Sequence, residues 1–283
     1  MPPPSRLALA TLALLLPAAA LACDPAKGLD GVMTIPACDP ATGPEVCVPG
    51  HVAVYEAMEA LDLPAVFTIG IQTSPWRMYD GEDRIVTIEE MAASVRAKRP
   101  ATDTRVRLVG SWTSARPDGA GETLAQRLSA ALDGLPVDGS DGFLWLSPKG
   151  AMRTTHQAFS VWQTGWYHVQ RGGDAMVALV PGAMVQFEDR FAEDGRAEGV
   201  VRAGVGKDVF MLCPDGALAA FERAAAMGSA IGAYNAGLMH ADAGRRDDAI
   251  RLLERAVALG DAKAGARLAE WRNQADAKVT GAD

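Results

Sequence analysis

The first half of this 283-residue chain alternates short apolar runs with amphipathic stretches. Residues 65–72, 106–112 and 143–146 are apolar enough for buried strands, while residues 86–98 and 120–132 show helical spacing. Thr87 precedes Glu89 and Glu90 and is typical of a helix N-cap. The order strand, helix, strand, helix, strand predicts a parallel α/β layer, in which residues 143–146 lie beside residues 106–112 after a right-handed crossover.

The pattern changes after this layer. Residues 151–212 contain three turn clusters with apolar runs between them, which favours strands over helices. The chain is then rich in Ala, Leu and Arg, and FERAAAMG at 221–228 is echoed 32 residues later by LERAVALG at 253–260. This spacing predicts two helical hairpins over residues 214–277. Two hairpins cannot bury a core alone, so we expect them to pack on an α/β domain over residues 51–212.

The first 22 residues have the composition of an export signal. Arg6 precedes an apolar run at 7–16, and small residues lead to Cys23. The run is too short to cross a bilayer, so a cleaved signal peptide and a periplasmic or secreted protein are predicted. Residues 23–50 then form an arm rich in Cys, Pro and Gly.

The four cysteines fit an oxidising compartment. Cys38 and Cys47 enclose a short Pro/Gly loop and are expected to form a disulfide, which leaves Cys23 to pair with Cys213. Cys23 also follows Ala20-Leu21-Ala22, a degenerate lipidation motif. The alternative is therefore a membrane anchor through a lipidated Cys23. The chain has no CxxC spacing, and no structural metal is expected.

The net charge and the acidic residues indicate which kinds of partner the protein could bind. The net charge of −8 argues against nucleic acid, because no basic stripe is present to neutralise phosphates. One acidic cluster fits either calcium binding or a solvated loop and helix start; it comprises Asp80, Glu82, Asp83, Glu89 and Glu90. No cofactor motif is found, since residues 204–208 lack the first glycine and the Ser/Thr of a phosphate-binding loop.

Two parts of the chain resemble known families. YNAGLM at 234–239 and DDAI at 247–250 resemble short tetratricopeptide repeats of the Sel-like kind. LVGS at 108–111, LAQRL at 124–128, LPV at 135–137 and FLWLSPKG at 143–150 follow the order of motifs in the caspase-like domains of bacterial toxins. The resemblance implies a caspase-like parallel sheet with flanking helices.

The same resemblance implies a lost active site. Such proteases carry a histidine and a cysteine at neighbouring strand ends, but Ile71 and Ser111 occupy these positions here. An imidazole and a thiolate are both needed for the chemistry, so the resemblance implies a non-catalytic domain. The alternative is a hydrolase that uses Ser111 as its nucleophile.

The expected function is therefore binding of another protein. Trp76 and Trp112 are predicted on loops that leave strand ends and are candidate anchors for a partner. Tyr234 and Asn235 lie in the repeat and are further candidates, because tetratricopeptide hairpins present surfaces to other proteins. An adaptor or immunity protein for a secreted toxin is a specific form of this expectation.

Overall fold

The computed structural model describes residues 37–38, 47–48, 58, 61, 63–146, 151–156, 159–161, 167–169 and 188–280. The strands in these ranges are β1 (Ala37–Cys38), β2 (Cys47–Val48), β3 (Val66–Gly70), β4 (Gln72–Thr73), β5 (Met78–Tyr79), β6 (Ile85–Val86), β7 (Arg105–Val109), β8 (Val137–Asp138), β9 (Phe143–Leu146), β10 (Met152–Thr155), β11 (Phe159–Val161) and β12 (Tyr167–Val169). The helices are α1 (Ile88–Lys98), α2 (Leu124–Ala131), α3 (Glu188–Glu193), α4 (Ala197–Val209), α5 (Pro214–Ala226), α6 (Ala230–Asp242), α7 (Arg246–Ala258) and α8 (Ala262–Thr280).

A parallel sheet of order β3-β7-β8 forms the α/β part, so the predicted fold class is confirmed at this level. Helices α1 and α2 cover one face of the sheet and share a buried cluster with β7. Each helix begins with a capping box. Thr87 Oγ1 accepts a hydrogen bond from the backbone amide of Glu90, and Thr123 Oγ1 accepts one from the backbone amide of Gln126. These caps satisfy amide groups that the first helical turn leaves unpaired.

The third parallel strand differs from the prediction. Residues 143–146 do not pair with β7 in parallel; they form an antiparallel hairpin with β10, in which Leu146 lies opposite Met152. On the side of β7 that faces away from β3, the parallel partner is instead the short β8, with Val137 opposite Val106. After α2, Asp133 and Gly134 have φ angles of 58° and 86° and reverse the chain at once. A two-residue strand that follows such a turn has too few residues for a hydrophobic pattern.

A second, antiparallel sheet of order β4-β5-β6 lies between the parallel sheet and the helices. Tyr79 and Ile85 from this sheet are buried in one hydrophobic cluster with residues of α4 to α8. The α/β part and the helices therefore share a core.

The helical part starts earlier than predicted. The preference for strands fails over residues 188–209, where the chain forms α3 and α4. Every turn between consecutive helices from α3 to α8 contains a residue with positive φ; these residues are Gly195, Leu212, Gly228, Gly244 and Gly260. Four of the five are glycine, which adopts this conformation without steric cost. Among the described residues, no helix is long and apolar enough to cross a membrane.

Candidate functional site

The carboxyl ends of β3 and β7 lie side by side, with Gly70 opposite Val109. The amide of Ile71 donates a hydrogen bond to the carbonyl of Val109 at 3.1 Å, and Ser111 lies two residues beyond Val109. The structure therefore brings together Ile71 and Ser111, the two positions at which the caspase-like resemblance would place a catalytic dyad. This edge is also where ligands bind in parallel α/β sheets.

The hydrogen bonds of Ser111 connect β7 to neighbouring parts of the backbone. Its Oγ accepts a hydrogen bond from the amide of Leu144 at 3.0 Å, and its carbonyl accepts one from Thr73 Oγ1 at 2.5 Å. These contacts tie β7 to the start of the β9 hairpin and to β4. Within the described ranges, no ionisable side chain forms a hydrogen bond with Ser111 Oγ. A serine hydroxyl without an adjacent base is a weak nucleophile.

The carboxyl edge is filled by the protein's own loops. A Cβ atom on Gly110 would lie 2.6 Å from both the carbonyl oxygen of Ile71 and Oγ1 of Thr73. A Cβ atom on Gly139 would lie 2.5 Å from Oγ1 of Thr113. Real Cβ atoms do not approach other atoms so closely, and the loops after β7 and β8 are therefore in direct contact.

Trp112 is part of this packing. It has a φ angle of 64° and is buried, and its ring meets the ring of Phe143 edge-on at 5.0 Å. Among the described residues, neither its buried indole Nε1 nor Oγ of Ser140 has a hydrogen-bond partner. The burial of Trp112 differs from the exposure that its predicted role as a partner anchor would need. Trp76 is half-buried in the loop between β4 and β5, and the guanidinium of Arg77 lies 5.9 Å from its ring centroid.

A buried ionic cluster joins this loop to the helices. Asp208 of α4 is fully buried, and its Oδ1 accepts a hydrogen bond from Nη2 of Arg77 at 2.7 Å. Its Oδ2 accepts hydrogen bonds from Ser74 Oγ at 2.7 Å, Tyr79 OH at 2.8 Å and Arg77 Nε at 3.1 Å. Sequence reasoning missed this cluster, because its members are about 130 residues apart and match no motif.

The electrostatics of the cluster follow from burial. Loss of solvent, together with the negative charge of Asp208, raises the pKa of the Tyr79 hydroxyl well above 10 and outweighs the opposite effect of Arg77. Tyr79 is therefore a hydrogen-bond donor at neutral pH. The paired carboxylate and guanidinium satisfy each other, as buried charges require.

Tyr234 and Asn235 contact other residues of the protein, namely those at the start of β6. Oδ1 of Asn235 accepts the amide of Ile85 at 2.9 Å, and Nδ2 donates to the carbonyl of Asp83 at 2.8 Å. The ring of Tyr234 is buried, and the guanidinium of Arg84 lies 5.1 Å from its centroid. Both residues fix α6 to the β6 edge of the antiparallel sheet. The sequence predicts partner contacts for both residues, whereas the structure shows them in contacts within the protein.

The acidic cluster is largely paired with basic residues of the helices. Asp83 contacts Arg202 of α4 at 3.2 Å, and Asp80 contacts Lys263 of α8 at 3.4 Å. Glu90 also lies within 3.9 Å of Lys263, and Glu89 lies 4.0 Å from Arg267. Among the described residues, no group of three or more His, Cys, Asp or Glu side chains is arranged to hold a metal ion. These four carboxylates lie in the contact between the α/β part and the helices, where they face basic side chains.

The cysteines fall partly outside the described ranges. Cys38 and Cys47 lie opposite each other in the antiparallel pair β1 and β2. Opposed residues of this kind have Cα atoms at a separation that suits a disulfide. Cys213 is buried and disulfide-bonded, while its expected partner Cys23 lies outside the described residues. Both pairings stay predictions.

A cleft lies at the opposite edge of the sheet, where α1 and α2 end. Its volume is about 440 Å³, and it contains none of the site residues predicted from the sequence. It is lined by Val95, Arg96, Arg99, Leu132, Asp133, Gly134 and Leu135.

Comparison of the chain with protein-family profiles, with curated proteins and with solved structures finds no significant match. The Sel-like and caspase-like resemblances therefore stay proposals, and the function has to be argued from the contacts described above.

Proposed function

We propose that this chain is an exported, non-catalytic protein-interaction module, built on a degenerate caspase-like domain and Sel-like helical hairpins. The environment of Ser111 carries the proposal. Its hydroxyl accepts the amide of Leu144, and the neighbouring strand end carries the apolar Ile71. Both groups hold the loops of the carboxyl edge together, where a protease would need an imidazole and an activated nucleophile.

The helices support the binding role. Polar contacts to the α/β part come from α4, α6 and the start of α8, through Asp208, Asn235 and Asp261, and Phe221 of α5 adds an apolar contact with the ring of Tyr79. Within the described residues, the hydrogen bonds and ion pairs of α5 and α7 stay inside the helical part. Helical hairpins of this kind commonly use their free surfaces to bind other proteins.

Export belongs to the same proposal. A cleaved signal at residues 1–22 would deliver the chain to a periplasmic or extracellular compartment, where Cys38–Cys47 and Cys23–Cys213 disulfides are stable. Lipidation of Cys23 is the alternative and would anchor the protein to a membrane. Mass spectrometry of protein from its native host distinguishes the two, because a lipidated cysteine carries the added mass at the first residue.

The test has a catalytic and a binding arm. A fluorophosphonate probe and a panel of fluorogenic peptides are applied to the wild-type protein and to Ser111→Ala, and we expect neither labelling nor cleavage. Labelling that disappears in Ser111→Ala would establish a serine hydrolase and overturn the proposal.

For the binding arm, the tagged full-length protein is cross-linked in its native host, beside an unrelated exported protein with the same tag. We expect a specific partner that is retained by Ser111→Ala and that binds the purified protein in calorimetry. Failure to recover any partner above the control would contradict the binding role.

A further inference from the structure

The two faces of the parallel sheet are covered unequally. Alternate residues of a strand point to opposite faces, and Val106 and Leu108 of β7 are buried with residues of α1 and α2. Arg105, Arg107 and Val109 therefore point to the second face. Of these three, Val109 alone is buried, in an apolar cluster with residues of the β9 hairpin. The apolar cover that the described residues form thus reaches the carboxyl half of this face, and the amino half presents two arginines.

Arg107 has a guanidinium without a partner. Its Nε is buried and forms no hydrogen bond, and among the described residues no other group pairs with this side chain. The residue is nevertheless partly exposed, so its terminal amino groups are the part that reaches the surface. Charges that are largely removed from water are normally paired in proteins, because an unpaired group loses its hydrogen bonds to the solvent. The guanidinium of Arg107 is thus available to an anion.

The neighbours of Arg107 explain why it is unpaired. Asp138 of β8 lies opposite Arg107 in the register of the sheet, but its carboxylate binds Arg105 instead. Nε of Arg105 lies 3.1 Å from Oδ2 of this carboxylate, and Nη2 donates a hydrogen bond to Oδ1 at 3.3 Å. Thr68 of β3 lies opposite Arg107 on the other side and adds a hydroxyl group. The central strand therefore carries one free guanidinium with a hydroxyl donor beside it.

These donors suit a single carboxylate. Because Nε is buried, the two terminal amino groups remain, and their N–H bonds match the two oxygen atoms of a carboxylate. A phosphate dianion would place a second negative charge beside Asp138, and the neighbouring Arg105 is already paired. The net charge of −8 also disfavours a strongly acidic partner. An isolated Asp or Glu side chain in an otherwise uncharged segment therefore matches the site.

We propose that the amino half of the second face binds a segment of a partner protein through one Asp or Glu side chain, which pairs with Arg107 and accepts a hydrogen bond from Thr68. The inference rests on the proposed interaction function and adds a contact on the α/β part. Parallel sheets are typically covered on both faces. The partner segment would complete the cover that the β9 hairpin begins.

A peptide array tests this chemistry with the full-length protein. Its peptides carry Glu at a fixed central position and varied uncharged residues elsewhere, and a matched set carries Gln at the centre. We expect the wild type to bind a subset of the Glu peptides about tenfold or more tightly than their Gln counterparts in fluorescence anisotropy. Arg107→Met should lose this preference. Arg127→Met removes one positive charge from an exposed position of α2 and is the matched control, which should bind as the wild type does.

The internal carboxylate gives a second readout. Arg105→Met releases Asp138 to pair with Arg107, which lies opposite, and should weaken binding of the Glu peptides. Adding Asp138→Asn removes this competitor and should restore binding. Adding Glu122→Gln instead restores the same net charge from an exposed position before α2 and should not restore binding. A recovery that is equal in both double variants would mean that net charge alone governs binding, and it would overturn the inference.

The remaining outcomes separate this face from folding and from the interaction function. Arg107→Met removes no hydrogen bond or ion pair among the described residues, so its free energy of unfolding should be no lower than that of Arg127→Met. A clear loss of stability would indicate a structural role and overturn the inference, as would equal binding of Glu and Gln peptides by the wild type. Sodium acetate that competes as strongly as the Glu peptides would identify a free small anion as the ligand and also overturn it. If the cross-linked partner binds Arg107→Met normally, the interaction function stands and its assignment to this face is wrong.

Discussion

Asp208→Asn tests whether the buried cluster holds the two parts of the protein together. Asp208 accepts four hydrogen bonds, two of them from Arg77, and both side chains are almost fully buried. The amide of asparagine keeps one acceptor oxygen and places an NH2 group where only donors approach. The substitution therefore leaves the positive charge of Arg77 buried without a counter-charge.

The expected cost is large. Removing one partner of a buried ion pair destabilises a protein by about 3–5 kcal/mol. Typical domains have a free energy of unfolding of about 5–15 kcal/mol, so roughly a fifth or more of the stability is at risk. A chain of this size loses about 2–4 °C of Tm per kcal/mol, and the expected fall in Tm is on the order of 6–20 °C.

Guanidinium denaturation measures the free energy of unfolding, followed by circular dichroism and by tryptophan fluorescence; five of the six tryptophans precede the helical part, and Trp271 lies in α8. Because Asp208 lies in α4 and its partners lie in and before β5, both signals should shift together. Asp194→Asn is the control, since its ion pair with Arg196 is exposed and worth less than about 1 kcal/mol. Arg77→Met combined with Asp208→Leu removes both charges and should recover part of the loss, because Ser74 and Tyr79 still lose their acceptor. A loss for Asp208→Asn no larger than that of the control would refute the reasoning.

Three further predictions follow from other contacts. The raised pKa of Tyr79 makes stability fall as pH rises above about 10, where an unfolded tyrosine ionises; Tyr79→Phe should flatten this loss in denaturation measured from about pH 8 to 11. Gly110→Ala should cost about 1–3 kcal/mol in the same assay, because the added methyl group meets two oxygen atoms at 2.6 Å, whereas Gly81→Ala has open space and should be neutral. Non-reducing peptide mapping should find Cys38 linked to Cys47, and recovery of both as free thiols would exclude the pairing.

The α/β part is largely predictable because its signals are local. Thr87 caps α1 as the sequence indicates, and the apolar run at 65–72 contains β3. The 32-residue spacing correctly predicts α5 to α8, since both hairpins place their apolar residues at the same positions. Periodicity within one element is thus enough to locate these helices and strands. Their pairing is less predictable, because β8 is only two residues long and has no pattern of its own.

The contacts between the α/β part and the helices could not be predicted from the sequence. Asp208 lies in a helix of small and apolar residues, and its partners lie on a loop and a short strand about 130 residues earlier. Pattern analysis finds residues that repeat or cluster along the chain, whereas this cluster forms only after folding. The same limit explains the acidic residues at 80–90. The sequence leaves them as either a calcium site or a solvated loop and helix start, and the structure shows ion pairs with basic residues of α4 and α8.

The contacts between the α/β part and the helices also determine which surfaces a partner protein could reach. Tyr234 and Asn235 lie in the repeat that resembles an interaction motif, but the antiparallel sheet already covers them through Arg84, Ile85 and Asp83. A partner that used this face would have to displace the protein's own sheet and break buried hydrogen bonds, each of which is costly to leave unmade. This face of α6 is therefore occupied by the protein itself, and a partner would meet less resistance on a surface that these hydrogen bonds do not hold.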